Sequence, residues 1–123
     1  WTLPAGFMEN GETIHHAAAR ESIEEANAEP GLLSLFGVFS MPYISQVYLM
    51  FSGSLLSDKL SPGAESLEVG LFGEDQIPWN DLAFPVMKHC LKLFFEHGAD
   101  SGKVHQAWFS RSPEREVNIH FEL

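Results

Sequence analysis

The sequence is poor in cysteine and in basic residues. Cys90 is the single cysteine among 123 residues, which excludes an intramolecular disulfide and a cysteine-rich zinc ribbon within this stretch. Lys and Arg number 7 against 17 Asp and Glu, a formal net charge of −10 at pH 7. Because nucleic-acid backbones bind basic surfaces, this balance excludes DNA or RNA as a bulk electrostatic partner. An anionic phosphate ligand would need metal cations to mediate its contact with this acidic protein.

The sequence also lacks a long apolar run. Residues 31–57 contain no charged side chain, yet Gly37, Pro42, Gly53 and six serines interrupt them. The remaining apolar runs are much shorter than the roughly 20 residues of a membrane span, so we exclude a membrane protein. No signal-peptide pattern follows Trp1, and we expect a soluble cytoplasmic protein. We interpret the start at Trp1 as that of a fragment, which leaves open what precedes it.

Length and periodicity predict one domain of mixed helices and strands. A chain of 123 residues fits a single domain, residues 1–123, with a sizeable core. Helices are predicted from about Thr13 to Ala28 and from Phe84 to His97, with Cys90 on the apolar face of the second. The predicted strands are Trp1–Gly6, Leu35–Met41, Gln46–Ser52, Ser66–Phe72, Val104–Phe109 and Val117–Leu123. This order indicates an α+β or layered αβα arrangement.

The first predicted helix carries an acidic face. At about 100° per residue, Glu21, Glu24 and Glu25 fall on one side of the helix. Ile23 lies on the opposite side and is expected to pack inward. The acidic face is locally unfavourable, because it places like charges at i, i+4 and puts acids in the C-terminal half, where the helix dipole favours cations. Only Arg20 is near enough in sequence to compensate.

A bound divalent cation is the simplest way to offset the repulsion among the carboxylates of this acidic face. Places where local rules fail without visible compensation are expected to be functional. Mg²⁺ and Mn²⁺ prefer oxygen ligands, which clustered carboxylates supply. The ordinary alternative is a solvated charged face, which is common on exposed helices. The residues of the helix alone leave both interpretations open.

The spacing around these acids resembles the Nudix box. The matching positions are Gly6, Glu12, Arg20, Glu21, Glu24 and Glu25. The chain departs from the motif at Ser22, where an aliphatic residue is usual, at Asn27, where Gly is usual, and at Ala28, where a larger apolar residue is usual. Four further segments, WTLPAGFMENGET, EEANA, PGAESLEVGLF and DQIPWNDLAFP, are similar to the bacterial and plastid Nudix subgroup of ADP-ribose and FAD pyrophosphatases. The resemblance covers Trp1 to Leu93, and the predicted C-terminal strands within residues 99–123 lie outside it.

The resemblance implies a fold and an activity. The fold would be an α+β, Nudix-type αβα sandwich with a mixed central sheet, without the strands that usually precede the box. The activity would be Mg²⁺- or Mn²⁺-dependent hydrolysis of the pyrophosphate bond in a nucleoside diphosphate linked to another moiety. ADP-ribose or FAD would be the substrate and AMP a product. Such in-line displacement at phosphorus depends mostly on positioning and on charge neutralisation.

The resemblance also assigns ligands and catalytic groups. Glu21 and Glu25 would be the main metal ligands, with Glu24 a further ligand or a water-orienting base. The Ala5 carbonyl would add a backbone oxygen. The catalytic set implied in this way is Glu24, Glu25, Glu65 and Arg20.

Other residues would support this site from outside the acidic face. Glu12 and Arg20 would form an ion pair that braces the loop and helix of the box behind Gly6. Glu65 is interpreted as a general base on a loop, and Glu68 as an accessory metal contact. The alternative for Glu65 and for Glu68 is an exposed loop acid without a role.

Two other functions stay open at this point. One is a non-catalytic Nudix-type module that binds a nucleotide or a protein partner. The other is a Nudix pyrophosphatase for another substrate, such as a dinucleoside polyphosphate or a nucleotide sugar. In each case the expected ligand is a small molecule rather than a nucleic acid or a membrane. A homodimer is a further hypothesis, because the last strand presents an apolar face and a sheet edge can pair.

Overall fold

The computed structural model describes residues 1–121 of the chain. The α-helices and strands of this part are α1 (Ile14–Ala26), β1 (Pro30–Met41), β2 (Gln46–Leu55), α2 (Pro85–His97), β3 (His105–Arg111) and β4 (Val117–Phe121). These residues form two compact units: the first unit comprises residues 1–33 and 53–78, and the second unit residues 34–52 and 79–121. None of the helices described is both long and apolar enough to cross a membrane.

The strands form one mixed sheet in the order β2-β1-β3-β4. β1 and β3 run parallel, from the pair Gly37 and His105 to the pair Ser40 and Trp108. β3 and β4 are antiparallel, with Phe109 opposite Ile119. A mixed four-stranded sheet with two helices confirms the predicted α+β class.

The apolar core of the second unit lies between the sheet and α2. Phe39 of β1, Phe109 of β3 and Met87 of α2 are almost completely buried. The ring of His89 on α2 lies 5.4 Å from that of Phe109. Cys90 is also buried, which confirms its predicted place on the apolar face of the helix.

The ends of α1 follow the local signals in the sequence. The Thr13 hydroxyl accepts a hydrogen bond from the His16 N–H at 3.1 Å, which caps the first turn. Asn27 adopts the left-handed conformation, with φ 49° and ψ 32°, and its N–H donates to the Ile23 carbonyl. The prediction that Ile23 packs inward is wrong, since this side chain is 45% exposed. Helical periodicity defines the faces of a helix, but it does not decide which face finds an apolar partner.

Two predicted strands are absent from the described part of the chain. Trp1–Gly6 and Ser66–Phe72 contain no strand, because neither segment pairs its backbone with a neighbouring strand there. They do approach each other through side chains: the Trp1 and Phe72 rings meet edge to face at 5.1 Å. Apolar composition therefore identified segments that pack, whereas a strand also requires a hydrogen-bonded partner. The predicted last strand is observed to residue 121, and its end at Glu122 and Leu123 lies outside the described residues.

Candidate active site

Arg20 connects α1 to the loop that precedes it. Its Nε and Nη2 atoms donate to the two carboxylate oxygens of Glu12 at 2.7 and 3.0 Å. Nη2 also donates to the Phe7 carbonyl at 3.1 Å. The pKa of Glu12 is lowered, first by the hydrogen bond from Arg20 and then by the one from the Glu9 N–H. The ion pair expected between Glu12 and Arg20 is present, and its two-pronged geometry fixes the loop against the helix.

The same guanidinium neutralises part of the acidic face. Arg20 Nη1 donates to Glu21 at 2.7 Å and to Glu24 at 3.1 Å. The Glu21 side chain is only 13% exposed, whereas that of Glu24 is 55% exposed. A Cβ atom at Gly6 would overlap the Glu21 carboxylate. The glycine of the motif therefore leaves the space that this carboxylate occupies.

Glu25 lies in a perturbed electrostatic environment on this face. Its carboxylate accepts a hydrogen bond from the Ala5 N–H at 2.9 Å. Burial raises the pKa of Glu25, and the negative charges of Glu21, Glu24 and Glu65 raise it further, against the opposing effect of the Ala5 hydrogen bond. The charges of three other carboxylates therefore act on Glu25 within the first unit.

These carboxylates supply the oxygen ligands of a hard-cation site, but they do not converge on one point. Their oxygen atoms are the ligands that Mg²⁺ and Mn²⁺ prefer, and their mutual repulsion favours a cation. In residues 1–121, however, no three His, Cys, Asp or Glu side chains converge closely enough to hold an ion. Glu21 and Glu24 pair with Arg20 instead, and Glu25 accepts a backbone N–H. The donor set fits a divalent cation, and the individual ligands stay predictions.

The loop with Glu65 lies against the C-terminal end of α1. The Gly63 N–H and the Ser66 hydroxyl both donate to the Glu25 carbonyl, at 3.1 and 2.6 Å. A Cβ atom at Gly63 would overlap the Glu24 carbonyl, so the loop backbone touches the helix here. Neither Gly63 nor Ser66 is predicted from the sequence as a site residue. The Pro-Gly pair in the sequence signalled a turn, but it did not indicate what the turn would contact.

The first unit thus brings most of the predicted site residues together. The residues in contact or in electrostatic range are Ala5, Gly6, Glu12, Arg20, Glu21, Glu24, Glu25 and Glu65. Glu68 differs from them: it is exposed and forms no hydrogen bond or ion pair with other described residues. The structure accordingly supports the proximity of Glu65 to the acidic face and adds nothing to the case for Glu68.

The family comparison identifies this loop-and-helix arrangement. Residues 1–94 match the family model described as NUDIX domain. The chain belongs to the Nudix family. This matched range ends close to Leu93, where the motif resemblance ended.

Two curated relatives differ in the substrates that their names state. One is the ADP-ribose pyrophosphatase of Methanocaldococcus jannaschii, 33% identical over 85 residues, which are 63% of this chain and 48% of the relative. The other, from Bacillus subtilis, has the name "putative 8-oxo-dGTP diphosphatase" and is 28% identical over 79 residues, covering 63% and 53% of the two chains. The chain therefore spans about half the length of the curated relatives it matches.

Solved structures confirm the Nudix fold. The crystal structure of a NUDIX hydrolase from Nitrosomonas europaea superposes with a TM-score of 0.79 at 51% identity, over 88% of this chain and 63% of that one. A MutT protein from Bacillus halodurans superposes with a TM-score of 0.55 at 22% identity, over 97% and 80%. At 22% identity, the second likeness concerns the fold alone.

Proposed function

We propose that this Nudix chain is a pyrophosphohydrolase that cleaves a nucleoside diphosphate linked to another moiety, with Mg²⁺ or Mn²⁺ as cofactor. ADP-ribose or FAD is the proposed substrate, with AMP as a product. The observation that carries this proposal is the acidic face of α1, whose carboxylates are held together although they repel one another. The archaeal relative with the name ADP-ribose pyrophosphatase supports the choice of substrate.

The ligands are assigned by the position of each acid. We assign the cation to Glu21 and Glu25, with Glu24 as a further ligand or a water-orienting base, the Ala5 carbonyl as a backbone ligand and Glu68 as an accessory contact. When bound, a divalent cation neutralises diphosphate charge and lowers the pKa of a bound water. The positive charge of the cation would then offset the repulsion among the carboxylates, which Arg20 offsets only in part.

Two other side chains act on the reaction, one by accepting a proton and the other by positioning carboxylates. Glu65 is the proposed general base, which accepts a proton from the attacking water; its charge already acts on Glu25. Arg20 is a positioning residue, since it holds the Glu21 and Glu24 carboxylates while Glu12 anchors it from the loop. In this proposal the catalytic power comes from charge and position rather than from a covalent intermediate.

A second substrate class is motivated by the Bacillus subtilis relative, whose name gives 8-oxo-dGTP. A nucleoside triphosphate, a dinucleoside polyphosphate or a nucleotide sugar would use the same acids, since base selection depends on residues outside the box. A non-catalytic binding module is disfavoured, because such a module can lose its acids at no cost and this chain keeps all of them. The partner in every case is a small molecule, and a cytoplasmic location suits such a substrate.

A substrate panel with product identification tests the proposal. The chain is incubated with ADP-ribose, FAD, a dinucleoside polyphosphate, a nucleotide sugar and 8-oxo-dGTP, in Mg²⁺ and in EDTA. We expect AMP from ADP-ribose or FAD in Mg²⁺ and no turnover in EDTA. Turnover that survives EDTA would contradict the assigned chemistry. A ligand-induced rise in melting temperature without any product would support the binding module instead.

A further inference from the structure

Asn27 makes contacts that a glycine at the same position could not make. It keeps the left-handed conformation that ends α1, with φ 49° and ψ 32°. Its side-chain amide donates to the Ser61 carbonyl at 3.0 Å and to the Ser61 hydroxyl at 2.8 Å. The departure from the Nudix motif at this position therefore adds a tether between the helix end and a loop 34 residues further along the chain.

The loop also satisfies the last carbonyl groups of the helix. The final carbonyls of an α-helix have no partner within the helix. The Ser61 N–H donates to the Ala26 carbonyl at 3.1 Å, while the Gly63 N–H and the Ser66 hydroxyl donate to the Glu25 carbonyl. Together with the Asn27 amide, five hydrogen bonds attach this loop to the helix end.

These attachments lie on both sides of Glu65 in the sequence. Gly63 and Ser66 are fixed to the same carbonyl, and Gly63 fits only because it has no side chain there. Glu65 itself is exposed and makes no hydrogen bond with the residues described. Its place near Glu25 therefore depends on the residues that flank it rather than on its own contacts.

We propose that Asn27, Ser61 and Ser66 form a latch that fixes residues 61–66 against the end of α1 and so positions the Glu65 carboxylate beside Glu25. The latch residues touch neither substrate nor cation; they are positioning residues for Glu65. The catalytic part of this inference rests on the proposed function, because it takes Glu65 as the base. The attachment itself does not, since all of its hydrogen bonds join residues of the chain to one another.

Hydrogen exchange on the metal-free chain tests the attachment directly. Asn27→Gly removes both tether bonds and keeps a residue suited to the left-handed conformation, so the variant is expected to fold. Because both tether bonds are lost, we expect the Ser61 and Gly63 amides to exchange about tenfold faster. Amides in α2 serve as an internal reference. Unchanged exchange at Ser61 and Gly63 would overturn the latch.

Two serine variants and a matched control refine this test. Ser66→Ala removes the 2.6 Å bond to Glu25, and Ser61→Ala removes one of the two acceptors of Asn27. We expect faster exchange at Gly63 in both, with the smaller change in Ser61→Ala. Ser57→Ala is the control, because among residues 1–121 that hydroxyl accepts a bond only from the Lys59 N–H and lies outside the latch. An equal change in the control would contradict the proposal.

A double-mutant cycle tests whether the latch acts through Glu65. Asn27→Gly should lower kcat about tenfold and leave KM within about twofold, because positioning is lost while binding is kept. In a Glu65→Gln background the same substitution should cost nothing further. Additive losses would show a purely structural role for Asn27. If no substrate of the panel is turned over, the proposed function fails, while hydrogen exchange still decides whether the latch exists.

Discussion

The two units of this chain are stabilised by different physical interactions. The second unit contains the large buried side chains, namely Phe36, Phe39, Met41, Met50, Val86, Met87, Cys90, Leu93, His105 and Phe109. In the first unit the buried apolar residues are three alanines, Ala17, Ala26 and Ala28. The first unit instead contains many hydrogen bonds and ion pairs, which involve Arg20 and the C-terminal end of α1.

This difference separates the unit that supplies most of the apolar burial from the unit that contains the proposed site. Apolar burial is non-directional and grows with the area removed from water. Hydrogen bonds and ion pairs are directional, so they fix carboxylates at defined positions while contributing little net stability each. We therefore expect volume changes to act mainly on folding in the second unit, and polar changes to act mainly on activity in the first.

Truncation of Phe39 should give the largest effect on folding. This side chain is 0% exposed in the second unit, and removal of a buried aromatic ring costs about 3–5 kcal/mol. Phe39→Ala should lower the free energy of unfolding by that amount, measured by urea denaturation. Ile23→Ala, at an exposed apolar site of the first unit, is the matched control and should change it by less than about 1 kcal/mol. Equal losses would remove the contrast between the units.

Cys90 should report the closed core of the second unit through its reactivity. Burial raises the pKa of its thiol to about 12, so at pH 8 the reactive thiolate is scarce. Relative to the urea-unfolded chain, we expect reaction with a disulfide reagent to be slower by about a thousandfold. Phe39→Leu should accelerate the reaction. Fast labelling of the native wild-type chain would mean that the core opens readily.

Glu25→Gln should separate activity from stability in the first unit. It removes a proposed ligand and should reduce turnover by about a hundredfold or more. Stability should be unchanged or slightly higher, because burial and three nearby carboxylates disfavour the charged form of this acid. Turnover by product analysis and melting temperature are measured on the same sample. Glu29→Gln, just beyond the helix, is the control, and marked unfolding of Glu25→Gln would favour a structural role.

His105 should make the stability of the second unit depend on pH in mild acid. We expect this to be the smallest of the effects. It is buried, and its Nε2 atom has no hydrogen-bond partner in residues 1–121. Burial, with contributions from His97 and Lys103, lowers its pKa. The unfolded chain therefore binds the proton more readily, so stability should fall as the pH drops below about 6.5, the ordinary value. His105→Leu should reduce this slope in pH-dependent urea denaturation, and the exposed-site variant His16→Leu should not.

Prediction from sequence succeeded where a signal is local. The Thr13 cap and the left-handed Asn27 set the ends of α1, and both act within four residues of the helix. Alternation of apolar residues identified β4 in the second unit, and helical spacing placed Cys90 in the core. Prediction failed for Trp1–Gly6 and Ser66–Phe72, because composition alone does not supply a partner strand.

The sequence by itself determined which charged groups the candidate site contains: the spacing from Gly6 to Glu25 puts a set of carboxylates and one guanidinium on a single loop and helix, since helical geometry is fixed by neighbouring residues. Only the tertiary structure decided how that set is held. The bond between Ser66 and the Glu25 carbonyl joins residues 41 positions apart. Local propensity cannot predict such a contact. It forms only after the chain has folded back and brought a loop to the unpaired carbonyl groups at the end of the helix.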